Sequence, residues 1–194
     1  MSSYFAGESK AVIAPHAAPE VAPGSLELLR RFVNTVQLPD GPDELGSVET
    51  ASAWCLSHGL APVTNARHAE QLRAFRETLR DLLFANNGEG DAAMAWSEMG
   101  PFLASTRLGL SVDPHHGLEL KPQDKGPIAS LLAIVYESEI KGTWTRLRAC
   151  RKLSCRWAYY DHTKNGSRAW CSMATCGNQM KAQRRRQRER NIRI

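Results

Sequence analysis

Extended apolar stretches are missing from this chain of 194 residues. None approaches the ~18–20 residues that a membrane-spanning helix requires, so no such helix is expected. The first residues hold no charged segment followed by an apolar one. A secretory signal is therefore not read, and a cytoplasmic protein is the expectation. Catalytic signatures are missing too: there is no phosphate-binding glycine loop, no Gly-x-Ser-x-Gly and no His-Glu-x-x-His. A non-enzymatic protein is expected. His115-His116 falls in turn-like sequence, and His58 and His68 have no evident partner along the chain.

Acidic residues run short at one end. Residues 141–194 hold 2 acidic and 15 basic side chains, a net of +13, whereas residues 1–140 hold 18 acidic and 10 basic, a net of −8. An acidic body joined to a basic module is the pattern expected when one part meets a polyanion and the other does something else. Cysteine is equally uneven. Cys55 stands alone in Ala-Trp-Cys-Leu and reads as a small buried apolar residue. The other four lie within 27 residues near the C-terminal end.

Their spacing is Cys150-x4-Cys155-x15-Cys171-x4-Cys176. Two short pairs with an intervening segment are the logic of a tetrahedral metal site, each pair on a tight loop and the two pairs meeting around the ion. Four thiolates close the coordination shell, so the reading is one structural Zn2+ per chain held by Cys150, Cys155, Cys171 and Cys176. Two disulfides are the competing account, which a cytoplasmic setting disfavours. His162, between the pairs, is an alternative fourth ligand.

The remaining pattern is mainly α. Residues 1–24, rich in Ala and Pro, read as a disordered tail. Residues 25–143 read as a multihelical domain with one β-hairpin. A helix capped by Ser25 covers 26–36, and a second follows Ser47 and closes at Gly59. A third, capped by Thr64 or Asn65, carries the stripe Leu72, Phe75, Leu79, Leu82, Leu83, with Arg73, Arg76, Glu77, Arg80 and Asp81 on its wet face. Residues 91–104 read as helix broken near Gly100-Pro101. Leu108, Leu110 and Val112 alternate, then Leu118 and Leu120, around a turn at residues 113–117. A last helix starts at Pro127 and runs on irregularly past Gly142 toward Cys150.

Residues 144–194 read as a small treble-type, ββα-like zinc finger whose own core is too small to hold it without metal. Its strand is placed at 156–161, with a return beginning at Trp170. From the N-cap Ser172 the chain is expected to be helical. Lys181, Arg184, Arg185 and Arg188 then share one face, widened by Arg186, Arg190 and Arg193. The bland alternative is a frayed, solvated basic tail.

The segment from Cys150 to Lys181 resembles the CGNR-type zinc finger of bacterial proteins. The resemblance rests on Arg146-Leu147-Arg148-Ala149-Cys150, Tyr159-Tyr160-Asp161, Asn165-Gly166-Ser167-Arg168-Ala169-Trp170-Cys171-Ser172-Met173 and Cys176-Gly177-Asn178. Upstream, residues 32–36 and 53–60 are similar to the ABATE-type domain found with that finger. The resemblance implies a stress-induced transcription regulator: a helical domain that serves as a sensor, followed by a finger that binds DNA. The family motif ends in Arg, and this chain has Gln179 in its place.

Duplex DNA is the expected partner, with phosphate contacts from Arg168, Lys181, Arg184, Arg185 and Arg188. Gln179 is a candidate for pairing with an adenine edge. A small-molecule ligand at the helical domain belongs to the same reading. One alternative is RNA binding, with Trp157, Tyr159, Tyr160 and Trp170 stacking on unpaired bases. Another is a protein-interaction or sensor module. The sequence sets neither the target site nor the oligomeric state.

Overall fold

The computed structural model describes residues 21–115 and 117–192. Most of the expected tail, together with His116 and Arg193, lies outside these residues. Residues 21–24 are described, and Ala22 is already buried, its N–H donating to the Glu27 carboxylate at 2.9 Å.

The helical part comprises α1 (Leu26–Val33), α2 (Val48–Ser57), α3 (Ala66–Asn86), α4 (Ala92–Ala104) and α5 (Pro127–Ile140). The hairpin β1 (Leu108–Asp113) and β2 (Gly117–Pro122) lies between the last two helices, paired in register from Leu108↔Pro122 to Asp113↔Gly117. The finger follows, with β3 (Leu147–Ala149), β4 (Ala158–Tyr160) and α6 (Asn178–Ile192). The expected mainly α fold with a hairpin and a small C-terminal finger is the one observed. No helix among the described residues is long and apolar enough to cross a membrane.

The central element is α3. Asn65 caps it by accepting from the His68 N–H at 3.0 Å. Its stripe Leu72, Phe75, Leu79, Leu82 and Leu83 is sealed in the core. Phe75 meets Phe32 of α1 at 6.1 Å and Phe102 of α4 edge-on at 5.2 Å, and Phe32 meets Trp54 of α2 at 5.6 Å. The same core continues into the finger through Trp144, Leu147, Ala149, Ala158 and Tyr160. Cys55 is fully buried, and burial pushes its thiol up to about 11, in keeping with a packing role.

Four expectations are corrected. First, α1 stops at Val33, because the chain turns there to pair Val36 with Asp43. Second, α4 runs unbroken through Pro101. The carbonyl that proline leaves unbonded belongs to exposed Ser97, where water can serve it, while Ala95, Met99 and Phe102 hold the helix down. Third, α5 ends at Ile140, Gly142 takes φ +65°, and a single 3-10 turn at Trp144–Arg146 leads into β3. The finger's hairpin therefore brackets the first cysteine pair, with no return strand at Trp170. Fourth, Arg76 and Arg80 are buried, away from any wet face. Arg76 forks onto Asp43 at 2.6 and 2.9 Å; Arg80 bonds Glu77 at 2.9 Å and the carbonyls of Val33 and Arg156 at 2.6 and 3.1 Å. Long-range partners make these buried charges tolerable.

Three asparagines stitch finger to helices. Asn34 donates to the Ala158 carbonyl at 2.9 Å and accepts from its N–H at 2.8 Å, capping the open edge of β4. Asn86 donates to the carbonyls of Trp144 and Leu147. Asn87 donates to Ala149 O at 2.7 Å, Ala169 O at 3.0 Å and the Tyr159 hydroxyl at 3.1 Å.

Two outcomes follow from these contacts. Asn34→Ala leaves both Ala158 groups buried without partners, at roughly 1–3 kcal/mol each, and should lower stability by about 2–6 kcal/mol, read as a lower urea midpoint at unchanged slope. Glu27 supplies a pH test. Burial raises its pKa, but hydrogen bonds from Arg30, Arg31 and the Ala22 N–H outweigh that and bring it from 4.5 to about 2. A folded value below the unfolded one gives stability that is present above pH 4.5 and lost as pH falls toward 2. Glu27→Gln should cost about 2–3 kcal/mol near neutral pH. The gap between the two proteins should close across that acid window in pH-resolved denaturation.

Candidate metal centre and basic helix

The finger places its cysteines with local devices. Cys150 leaves β3, and its N–H donates to the Trp157 carbonyl at 3.0 Å. A tight turn returns the chain to Cys155, with the N–H groups of Cys155 and Arg156 both donating to Lys152 O at 2.8 and 3.0 Å. Arg156 takes φ 45°, a left-handed conformation unusual for a side-chain-bearing residue, and its guanidinium lies 4.6 Å over the Phe84 ring and pairs with Asp81. The conformation is held from outside the loop, by α3.

The second pair is set by a different device. Ser172 caps a wide π-helical turn, Met173–Gly177, accepting from the Thr175 N–H at 3.3 Å. This turn carries Cys176 inward beside Cys171. A Cβ on Gly177 would fall 2.4 Å from Met173 Sδ and 3.2 Å from the Trp170 ring, so glycine lets Met173 and Trp170 pack closely against the turn. Helix α6 starts at the next residue.

The four sulfurs are buried and lie within 4.8 Å of one another. Cys155 to Cys171 is 3.6 Å and Cys171 to Cys176 is 3.7 Å. These spacings are far beyond the ~2.05 Å of a disulfide. They match the edge of a tetrahedron with bonds of ~2.3 Å to a central zinc, about 3.8 Å. Electrostatics point the same way. Without a cation, hydrogen bonds from Cys155 and Cys171 draw the Cys150 thiol well below its ordinary value, and donating to that thiolate pushes Cys155 and Cys171 well above theirs. Among these three, protons favour one thiolate over several. A dication lets all four ionise. The donor set fits one structural Zn2+.

A polar knot supports the loops. Asp161 is fully buried and accepts from the Thr163 N–H at 2.9 Å, the Arg168 N–H at 3.0 Å and Arg148 at 3.2 Å. Burial raises its pKa, and these bonds together with the Thr163 hydroxyl outweigh the rise and lower it. Tyr159 and Tyr160 are buried, while Trp157 and Trp170 pack against the sulfur cluster.

The expected nucleic-acid residues divide in two. Lys181, Arg184, Arg185 and Arg188 lie on α6, exposed along it, with Arg185 paired to Glu189 at 2.8 Å. Arg168 is turned inward: its guanidinium donates to the carbonyls of Trp170, at 3.0 Å, and Cys171, and lies 4.8 Å over the Tyr159 ring. Gln179 is exposed, and its Oε1 accepts from Lys152 Nζ at 2.6 Å, which ties the first cysteine loop to the root of α6. His162 faces outward, its Nε2 3.0 Å from the Val21 carbonyl, and is no part of the cluster. His58 stacks on Trp54 at 4.1 Å, and His68 joins the α3 cap, so both have structural partners. Sequence reasoning missed Asn34 and Asn87 as supports of the site. The Asn86-Asn87-Gly88 run signalled only a helix end.

Two family models match the chain. The CGNR zinc finger covers residues 146–189, and ABATE, described as "Putative stress-induced transcription regulator", covers residues 26–138. The chain belongs to the ABATE family. No curated protein matches it. In this ABATE protein the four cysteines fall inside the CGNR match, and the last turn of α6 runs beyond it.

Metal content gives the test. The purified protein should contain one zinc per chain. Stripping it with a chelator should abolish the near-ultraviolet dichroism of Trp157 and Trp170 and leave most far-ultraviolet helical signal in place, since the main core holds α1 to α5. Cys171→Ser should reproduce the stripped state.

Proposed function

We propose that this ABATE protein is a non-enzymatic, zinc-dependent transcription regulator that binds duplex DNA through α6. The carrying observation is a rigidly rooted, exposed cationic helix that begins two residues after Cys176. Lys181, Arg184, Arg185 and Arg188 recur at helical spacing, so they present charge along one line, as a phosphate backbone requires. A closed four-sulfur shell leaves no coordination position for substrate, which favours a structural metal. Tyr159 and Tyr160 are buried and Trp157 and Trp170 are partly covered by the sulfur cluster, which favours DNA over the base stacking that an RNA reading would use. Arg168 serves the loops instead of the phosphates, and Gln179 orients the helix root through Lys152.

Fluorescence anisotropy on duplex DNA over a salt series tests this. Four phosphate contacts give a slope of log K against log salt near −3.6, from about −0.9 per contact. Replacing Lys181, Arg184, Arg185 and Arg188 by Ala should flatten the slope toward zero and weaken binding at least 100-fold at low salt, roughly 0.7 kcal/mol per contact. Chelation should weaken it comparably. Binding that is indifferent to salt and to the fourfold variant overturns the reading.

A further inference from the structure

The hairpin carries its apolar face outward. Cross-strand pairing places Leu110 opposite Leu120 and Val112 opposite Leu118 on that face. Leu110, Val112 and Leu118 are 69%, 76% and 72% exposed. The face runs into a groove of about 710 Å³ between β2 and α5, where Leu118 and Leu120 are joined by Ile134, Tyr136 and Ile140. Tyr136 and Ile140 are themselves 49% and 72% exposed.

We infer that this surface is the contact between two copies of the chain, an isologous dimer interface formed by hairpin and α5. Three observations carry it. A two-stranded hairpin is marginal in water unless its apolar face is covered, and here only Leu108 and Leu120 of that face are partly covered. The second is extent. Burying such a side chain removes roughly 100 Å² of apolar surface from water, so the five exposed residues supply about 500 Å². That exceeds a scattered surface residue or two and makes the apolar centre of an interface needing about 800 Å² per partner. The third is charge. The rim carries both signs of charge, with Lys121 paired to Glu119 at 2.9 Å and Lys141 to Glu137 at 2.5 Å, beside exposed Glu139. A rim of mixed sign gives no strong field for an oppositely charged partner, whereas a second copy can set its own mixed rim against it across a twofold axis. The inference does not depend on DNA binding. Where both hold, each particle presents two basic helices.

Sedimentation equilibrium on the full chain, without DNA, is the test. The parent protein should be dimeric at about 10 μM, an ordinary concentration for an interface of this size. Val112→Glu on the hairpin and Ile140→Glu on α5 should each raise the dissociation constant at least 100-fold, with circular dichroism unchanged. Leu56→Glu, an exposed apolar position on α2 outside the surface, should leave the dimer intact. A monomeric parent protein overturns the inference and leaves the groove to a small apolar ligand or another partner. A dimer insensitive to both Val112→Glu and Ile140→Glu overturns it as well, placing the contact elsewhere. Because Ile140 sits on a helix, its variant stays informative even if Val112→Glu disturbs the hairpin.

Discussion

Four sulfurs packed within 4.8 Å of one another are the constraint from which the C-terminal quarter of the molecule takes its shape. Such a group cannot carry four negative charges in a buried place without a cation. It cannot close two disulfides at these separations either. Once the sulfurs are drawn to one ion, the tight turn at Lys152–Cys155 and the wide turn through Gly177 have no freedom left. The axis of α6 is then set at its first residue. A helix with this density of like charge would fray alone; a metal-clamped root supplies the ordered first turn that its sequence does not.

The clamp is only as directional as its attachment to the rest of the protein, and that attachment is polar. Asn34, Asn86 and Asn87 bond backbone groups of β3, β4 and the second cysteine loop. Arg80 bonds the Arg156 carbonyl, and Asp81 pairs with Arg156. Backbone groups in loops around a metal have few ladder partners, so the helical domain provides them. The hydrophobic core crosses at the same place through Leu147 and Ala158. Finger and helices are thus joined around α3, and Asn87 at its end ties β3 to the segment leading into Cys171.

How much of this could be read in the sequence depended on whether partners were local. The cysteine set was legible because residue type and short spacing alone define it. The shared face of Lys181, Arg184, Arg185 and Arg188 was legible because helical period defines it, and so was the α3 stripe. Arg76 and Arg80 carried the same local pattern as any wet helix face, yet beyond Glu77 their partners, Asp43 and the carbonyls of Val33 and Arg156, lie outside α3. Asn34 meets Ala158 across 124 residues, which leaves no trace in a window of any practical length. Arg168 looked like one more cation of a basic module, and only the fold shows it spent on two carbonyls and a tyrosine ring. Pro101 was read as a break because a proline inside a helix loses a bond, but the cost was small where the orphaned carbonyl faces water.

The division of charge then acquires a physical sense. A body of net −8 lies beside a module of net +13, and opposite charges this close should draw α6 down onto the helices. Four acids of the body are already paired: Glu27 with Arg30 and Arg31, Asp43 with Arg76, Glu77 with Arg80, and Asp81 with Arg156 of the finger. Beyond about 8 Å the remaining surface charge is screened at physiological salt. Pairing inside the body leaves its net charge unchanged, so it is screening that limits the long-range pull and the clamped root that resists the bend. Lys181, Arg184 and Arg188 stay exposed along α6.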